Sequence, residues 1–335
     1  MPSRPRSSLP FGAVMATGAA SELAETAGVG WLRVPLLLLA VAIAATVIGS
    51  VVRVPRRPVL EPAARIGDFT IPLGLAVIGN GVAGLGGYSP ALGTAAIVAA
   101  AWIYTGWLVV AVIFPLVSAM PGLATVDGTW FLAPAALLAD GIGATAVAAR
   151  FPGHLALFGW IALAAVSVGV IGYLLVAALA AARLASRGIA GTPLAAWWIA
   201  AGCGGLAAAA LGRTGSVFHA GPEPGLEHSF GIAALLLWAL GSAALVPVLS
   251  GSIRFVAGLR RLAGRPPWPP TFSTGVYALG AAQVGRLLGA PFIAAAGNVA
   301  AVATIVLWAL TVVAKLPSMP GLVGRFQGQF DEQPP

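Results

Sequence analysis

The sequence predicts an all-α integral membrane protein of ten transmembrane helices, arranged as five tandem helical hairpins. Hydrophobic residues make up 59% of the 335 residues and charged residues only 8%. The mean hydropathy is +0.94, which leaves too little polar surface to cover a soluble globule. Most apolar runs reach the roughly 20 residues that a helix needs to cross a bilayer core. A repeat of about sixty residues divides these runs into five units.

Each repeat pairs an aromatic-led segment containing Pro or Gly with a longer and smoother apolar run, which is the pattern of a helical hairpin. Helices are favoured over barrel strands because the runs are continuously apolar and do not alternate. The repeats begin at Phe11, Phe69, Trp130, Thr192 and Thr271.

The ten predicted helices define a transmembrane domain at 10–316 between cytoplasmic tails at 1–9 and 317–335. The start of the chain imitates a signal peptide, but we expect it to be retained because it is the first copy of the repeat. The hairpins are expected near 10–52, 68–116, 129–182, 192–256 and 271–315, and the predicted helices are 10–27, 31–52, 68–86, 89–116, 129–149, 154–182, 192–212, 229–256, 271–288 and 291–315.

The distribution of basic residues predicts the orientation. Of the 18 Lys and Arg residues, 14 fall on one side of these helices, and Lys and Arg in short loops stay cytoplasmic. Both termini are therefore predicted to be cytoplasmic in a bacterial-type inner membrane, with the lipid bilayer as a partner. Because the basic residues are spread over helix ends and form no single face, no nucleic-acid partner is expected. The other four are Arg33, Arg150, Arg213 and Arg286.

Motifs for catalysis are missing from the sequence. It contains no phosphate-binding loop, no H-E-x-x-H pair and no cysteine pair. Cys203 stands alone among small residues and is expected to be a buried thiol, and the three histidines map to outer loops or helix starts. We expect no metal, no cofactor and no enzymatic activity, which leaves transport as the predicted function.

The odd-numbered helices carry most of the helix-disturbing residues, whereas the even-numbered helices are smoother. Proline and glycine bend helices, and membrane proteins tolerate such bends where protein or water satisfies the backbone. The odd helices are therefore predicted to surround a central pore, with the even helices facing lipid; close helix packing is the alternative explanation for the small residues. The kink candidates are Pro10, Pro72, Pro134, Pro193 and Gly275.

Three segments, PFGAVMATG, TWFLAPAALLADGIGA and TFSTGVYALGAA, resemble the tellurite-resistance/dicarboxylate transporter family, which includes the plant slow-type anion channels. The resemblance extends over roughly 10 to 315 and its motifs occur in the family's order. It implies a quasi-fivefold arrangement of the hairpins around a central pore in each protomer, and often a homotrimer.

The same resemblance implies that Phe272 plugs the pore. A bulky ring at a narrow point is a hydrophobic constriction that an anion cannot pass while hydrated; the alternative is an ordinary aromatic residue between helices or at the membrane interface. Relatives commonly have Pro after this Phe, whereas this chain has Ser273. The further pore-lining candidates are Phe11, Met15, Thr17, Phe69, Thr70, Phe131 and Thr271.

Charged residues near the outer ends of the odd helices complete the candidate site. Arg150, Arg213 and Arg286 are predicted to ring an outer vestibule and attract anions, although each could instead bind helix C-terminal carbonyls or lipid headgroups. A carboxylate in a membrane helix is a functional candidate. Asp140 and Glu22 are therefore possible proton sites, and for Asp140 the favoured alternative is a salt bridge with Arg150 or Arg213.

The predicted function is passage of small inorganic anions or small organic acids through a central pore that Phe272 occludes. The alternative is a proton-coupled transporter of C4-dicarboxylates, sulfite or tellurite. Flux with and without a pH gradient distinguishes the two.

Overall fold

The computed structural model describes residues 9–53, 62–119, 122–188, 194–221, 223–256 and 268–315, and these ranges contain only helices and turns. The predicted tails, apart from residue 9, and Pro193 lie outside them. The prediction of ten helices in five tandem hairpins is confirmed. The helices are α1 (Leu9–Leu23), α2 (Arg33–Arg53), α3 (Thr70–Ala83), α4 (Tyr88–Leu108, a π-helical turn Val109–Ile113, and Phe114–Ser118), α5 (Leu132–Arg150), α6 (Leu155–Arg187), α7 (Leu194–Ala220), α8 (Glu227–Val256), α9 (Trp268–Leu287) and α10 (Pro291–Lys315).

The odd-numbered helices form a closed inner ring. Helix α1 contacts α3, α3 contacts α5, α5 contacts α7, α7 contacts α9, and α9 contacts α1. Each even-numbered helix packs against the inner helix of its own hairpin and against the inner helix of the next one, so α4, for example, contacts both α3 and α5. The five hairpins therefore have quasi-fivefold symmetry.

Burial separates the two rings. The membrane-spanning stretches of the even helices are 22–28% buried, against 56% for α3 and 83% for α5. Seven helices of the described chain are long and apolar enough to cross a membrane by themselves; α1, α7 and α9 fall outside that set. All three belong to the inner ring. Helix α1 has only 15 residues, and for α7 and α9 the neighbouring helices provide shielding from lipid, so lower hydropathy is tolerated. The predicted inner and outer rings are confirmed.

The prolines of the inner helices mark helix starts. Pro10 is the second residue of α1, and Pro72 and Pro134 are the third residues of α3 and α5. A proline in the first turn interrupts nothing, because that N–H has no partner inside the helix. The 3-10 segments Pro62–Phe69 and Gly128–Phe131 lead directly into α3 and α5. These three prolines therefore stand at the starts of their helices and not in the middle, and a bend at them stays a prediction.

An irregular turn interrupts an outer helix instead. Helix α4 contains the π-helical turn Val109–Ile113, which ends shortly before Pro115. A proline lacks its amide hydrogen and collides with the carbonyl of the preceding turn, and widening that turn relieves the collision. Helix α4 is therefore an exception to the expectation that the even helices are smoother than the odd ones.

Glycines let the inner helices approach closely. A Cβ atom on Gly280 of α9 would lie 2.3 Å from the carbonyl oxygen of Gly205 in α7. Gly275, a predicted kink, lies inside uninterrupted α9, and a Cβ there would lie 3.1 Å from the Cβ of Ala19 in α1. These contacts support the close-packing explanation for the glycines.

We expect Gly280→Ala to destabilise the protein by about 1–3 kcal/mol, because the added methyl group meets backbone that cannot move aside. The measurement is the thermal unfolding midpoint in detergent. Gly106→Ala is the matched control, since Gly106 lies in outer helix α4 and a Cβ atom added there would have no neighbour within 4 Å. Equal midpoints for the two variants would contradict the close approach of α7 and α9.

Candidate functional site

All five inner helices line one small central cavity. Its volume is about 20 Å³, which is room for roughly one water molecule. The central cavity therefore has no room for a hydrated anion in this conformation. The residues that line the central cavity are Ala19, Glu22, Leu73, Val77, Asn80, Ala139, Ile142, Leu206, Arg213, Val276 and Leu279.

The lining residues reveal the relative register of the repeats. On each of α1, α3, α5 and α9, two residues three positions apart line the cavity. Phe11, Phe69 and Phe131 lie eight residues before the first residue of the pair on their helix. Phe272 lies only four residues before the first residue of the pair on α9. At 1.5 Å per residue, Phe272 is about 6 Å closer to the central cavity. The residue of α9 at the level of Phe11 is Trp268. The pairs, each three positions apart, are Ala19 and Glu22, Val77 and Asn80, Ala139 and Ile142, and Val276 and Leu279.

Phe272 lies one turn below the cavity on the face of α9 that lines it. It precedes Val276 by four residues and Leu279 by seven, so the three share one face of the helix. Its side chain is buried, with 4% of its surface exposed. The residue at the same level of α3 is Leu73, which lines the cavity itself. By helix spacing, Phe272 lies one turn below Val276, a level that we call the floor of the central cavity, and it is not itself among the lining residues.

Ser273 turns towards α7, beside the position of Phe272. A Cβ on Gly202 of α7 would lie 2.7 Å from the Ser273 Oγ. That hydroxyl is buried and has no hydrogen-bond partner within the described ranges. Ser273 therefore packs between the inner helices α7 and α9.

The other candidate pore residues fall into two groups. Met15 and Phe69 lie one turn before Ala19 and Leu73, on faces that line the cavity higher up. Phe11 packs with an apolar cluster formed by α1, α2 and α3. Phe131 packs on Tyr173 of α6, with ring centroids 5.7 Å apart. The prediction that Phe11 and Phe131 line the pore is therefore wrong, because their rings contact neighbouring helices.

None of the candidate threonines is among the residues that line the central cavity, although Thr70 lies on the same face of α3 as Leu73 and Val77. The Thr17 hydroxyl accepts a hydrogen bond from the indole N–H of Trp308 in α10, at 3.0 Å. Thr70 donates to the carbonyl of Gly67 at 2.7 Å, at the start of α3. Thr271 is five residues before Val276, which puts it on the opposite side of α9. None of the three supplies a hydroxyl to the central cavity.

The three candidate arginines have different partners. Arg150 donates to the carbonyl of Ala83 at the C-terminal end of α3. Arg286 is exposed and lies 3.4 Å from the Gln283 side chain. Arg213 alone among them lines the central cavity. Arg150 thus binds a helix C-terminal carbonyl, which was the alternative to a vestibule role, whereas the vestibule role of Arg286 stays a prediction.

Arg213 faces the cavity because α7 is longer than predicted. The sequence suggested a helix end at 212, but α7 continues to Ala220. Arg213 is therefore an interior helical residue, seven positions after Leu206, and both line the cavity. The charge of Arg213 suggested that the helix ends there, whereas packing against neighbouring helices determines where α7 ends.

Glu22 and Arg213 form an ion pair between α1 and α7. These helices are not neighbours in the ring, because α9 lies between them. Both side chains line the central cavity and are only 20% and 22% exposed. The ion pair therefore spans the end of the cavity that lies towards the C-terminal ends of the inner helices. The two residues are far apart along the chain, so sequence analysis does not reveal that they form a pair.

Asp140 is buried between α5 and α4, away from the central cavity. The indole N–H of Trp102 donates to its backbone carbonyl at 3.0 Å. The Asp140 carboxyl is buried beside the hydroxyl of Thr105 in α4, and no basic side chain forms a salt bridge with it in the part of the chain described. The predicted salt bridge to Arg150 or Arg213 is wrong, because Ala83 and Glu22 bind those arginines.

We expect Asp140→Asn to keep or raise the thermal unfolding midpoint at neutral pH. A buried carboxylate without a cationic partner gains nothing from its charge, and burial of charge is costly. The measurement is unfolding in detergent, with Asp140→Leu as a second variant that removes the polar group. A fall of several degrees for Asp140→Asn alone would reveal a charge partner and contradict this assignment.

Comparison with known proteins supports the resemblance found in the sequence. The model of the voltage-dependent anion channel family (SLAC1) matches residues 8–316, so nearly all of the ten-helix domain is included. A search of curated proteins found no significant match. Members of the matched family are channels or transporters for anions. The chain therefore belongs to the voltage-dependent anion channel family and is a multi-pass membrane protein of anion transport.

Proposed function

We propose that the inner ring conducts small anions along its axis and that Phe272 closes this path. The observation that carries the proposal is the central cavity, to which all five inner helices contribute and whose lining residue Val276 lies one helical turn after Phe272. Membership of an anion-channel family supports the charge of the substrate. The position of the ring on the cavity-lining face of α9 supports its role as the obstruction.

The wall of the cavity favours weakly hydrated anions. Below the level of Arg213, the side chains that line it are mostly aliphatic, including Leu73, Val77 and Val276. An anion that enters must lose water, and aliphatic groups return no hydrogen bonds for it. We therefore propose nitrate, chloride and small monocarboxylates as substrates ahead of strongly hydrated dicarboxylates.

A channel is favoured over a proton-coupled carrier. Coupling of transport to protons needs a titratable group on the path. Among the described residues, the acid on the cavity wall is Glu22, and it is ion-paired with Arg213. Asp140 is buried against α4 instead. These positions support passive flow of anions.

The membrane orientation follows from the distribution of arginines. We propose that both termini are cytoplasmic in the inner membrane, which places the Glu22–Arg213 pair at the outer end of the path. A homotrimer is the assembly expected from the family resemblance. The mass of the protein in detergent measures it.

We expect Phe272→Ala to raise the rate of nitrate or chloride flux into liposomes by about tenfold or more, because it removes the hydrophobic obstruction. Phe11→Ala is the matched control. Both rings are 4% exposed, but Phe11 packs between α1, α2 and α3. Unchanged flux in a folded Phe272→Ala protein, or an equal rise in Phe11→Ala, would remove Phe272 from this role.

The flux through Phe272→Ala should be the same with and without an imposed pH gradient at fixed membrane potential. A channel moves anions down their own electrochemical gradient and needs no proton. Accumulation of malate or sulfite driven by the pH gradient would support the proton-coupled carrier instead.

A further inference from the structure

We infer that Arg213 is an anion-binding site at the mouth of the central cavity and that Glu22 occupies it as an internal ligand. The path would then have a second closure, a charge latch formed by Glu22 and Arg213 above the Phe272 floor. This inference rests on the proposed function, because the anion that binds at the latch is the one that permeates.

The position of the latch distinguishes it from an ordinary stabilising ion pair. Glu25 and Arg33 also form an ion pair, at 2.5 Å, but they join the turn after α1 to the start of α2, and the Glu25 side chain is 64% exposed. Glu22 and Arg213 connect non-adjacent inner helices and are about four-fifths buried. An anion that enters from this end must pass between the two helices that the pair connects.

The polar groups at this level fit a small planar oxyanion. A guanidinium binds carboxylate or nitrate through two parallel hydrogen bonds, and Glu22 supplies such a carboxylate in the closed state. Asn80 of α3 lies on the same wall, and its Oδ1 is buried without a hydrogen-bond partner in the described chain. An amide turned over at this place offers two N–H donors. Arg213 and Asn80 could then hold an oxyanion together.

Replacement of Glu22 by an anion at Arg213 changes the charge at the mouth and releases the Glu22 side chain. While Glu22 is bound, the pair has no net charge and attracts no anion. When an anion replaces the carboxylate, the guanidinium keeps a charged partner, and the Glu22 carboxylate has to turn towards water to remain charged. The Glu22 side chain is then free to leave the mouth. Anion concentration itself would therefore open the latch.

The test measures nitrate binding in detergent, as the rise of the unfolding midpoint with nitrate concentration, with a bulky sulfonate holding the ionic strength constant. We expect Glu22→Gln to reach half of the full rise at roughly one-tenth of the wild-type nitrate concentration or less, because removal of one competing charge at about 4 Å is worth more than a factor of ten. The matched control is Glu25→Gln, for which the midpoint rise should follow the wild-type curve.

Removal of the cation should abolish the effect. The double variant Glu22→Gln with Arg213→Gln keeps the mouth neutral, and we expect its nitrate-dependent rise to disappear. An equal gain in Glu22→Gln and Glu25→Gln would indicate a general surface-charge effect and overturn the inference. A gain that persists in the double variant would overturn it as well.

Flux separates this inference from the proposed function. In the Phe272→Ala background, we expect Glu22→Gln to increase nitrate flux further at low nitrate concentration. Nitrate flux through Phe272→Ala, combined with unchanged nitrate binding by Glu22→Gln, overturns the latch and leaves the channel. Tighter nitrate binding by Glu22→Gln, with no flux through any variant, overturns the channel and leaves the binding site.

Discussion

Close approach between the five inner helices is the constraint on which the rest of the structure depends. Lipid offers no hydrogen bonds and no hydrophobic gain for association, so membrane helices associate through close packing and small residues. Gly205 and Gly280 bring the backbones of α7 and α9 into contact, and Gly275 brings α9 against α1. The ring that results is tight enough to leave a cavity of about 20 Å³ on its axis.

The outer helices stabilise this ring by polar contacts as well as by apolar packing. Trp102 of α4 donates to the Asp140 carbonyl of α5, and Trp308 of α10 donates to the Thr17 hydroxyl of α1. In both cases an outer helix is tied to the inner helix of the next hairpin. Thr17 and Asp140, which resemble pore residues in the sequence, therefore belong to the joints between hairpins.

The central cavity is polar at one end and apolar at the other. Glu22, Asn80 and Arg213 lie towards its mouth, whereas Phe272 lies below Val276 at its floor. An anion would meet a specific ligand first and a hydrophobic barrier second. This order suits a path that selects by charge before it demands loss of water.

The number of helices, their hairpin pairing and the division into inner and outer rings follow from the sequence alone, because apolar length and the placement of small residues are local properties. Which face of each helix meets the axis depends on packing, since one residue turns a helix by about 100°. Aromatic-led repeats placed Phe272 level with Phe11, but the cavity shows that Trp268 has that level. The pair of Glu22 and Arg213 required the closed ring, because 191 positions separate the two residues in the chain and only helix packing brings them together.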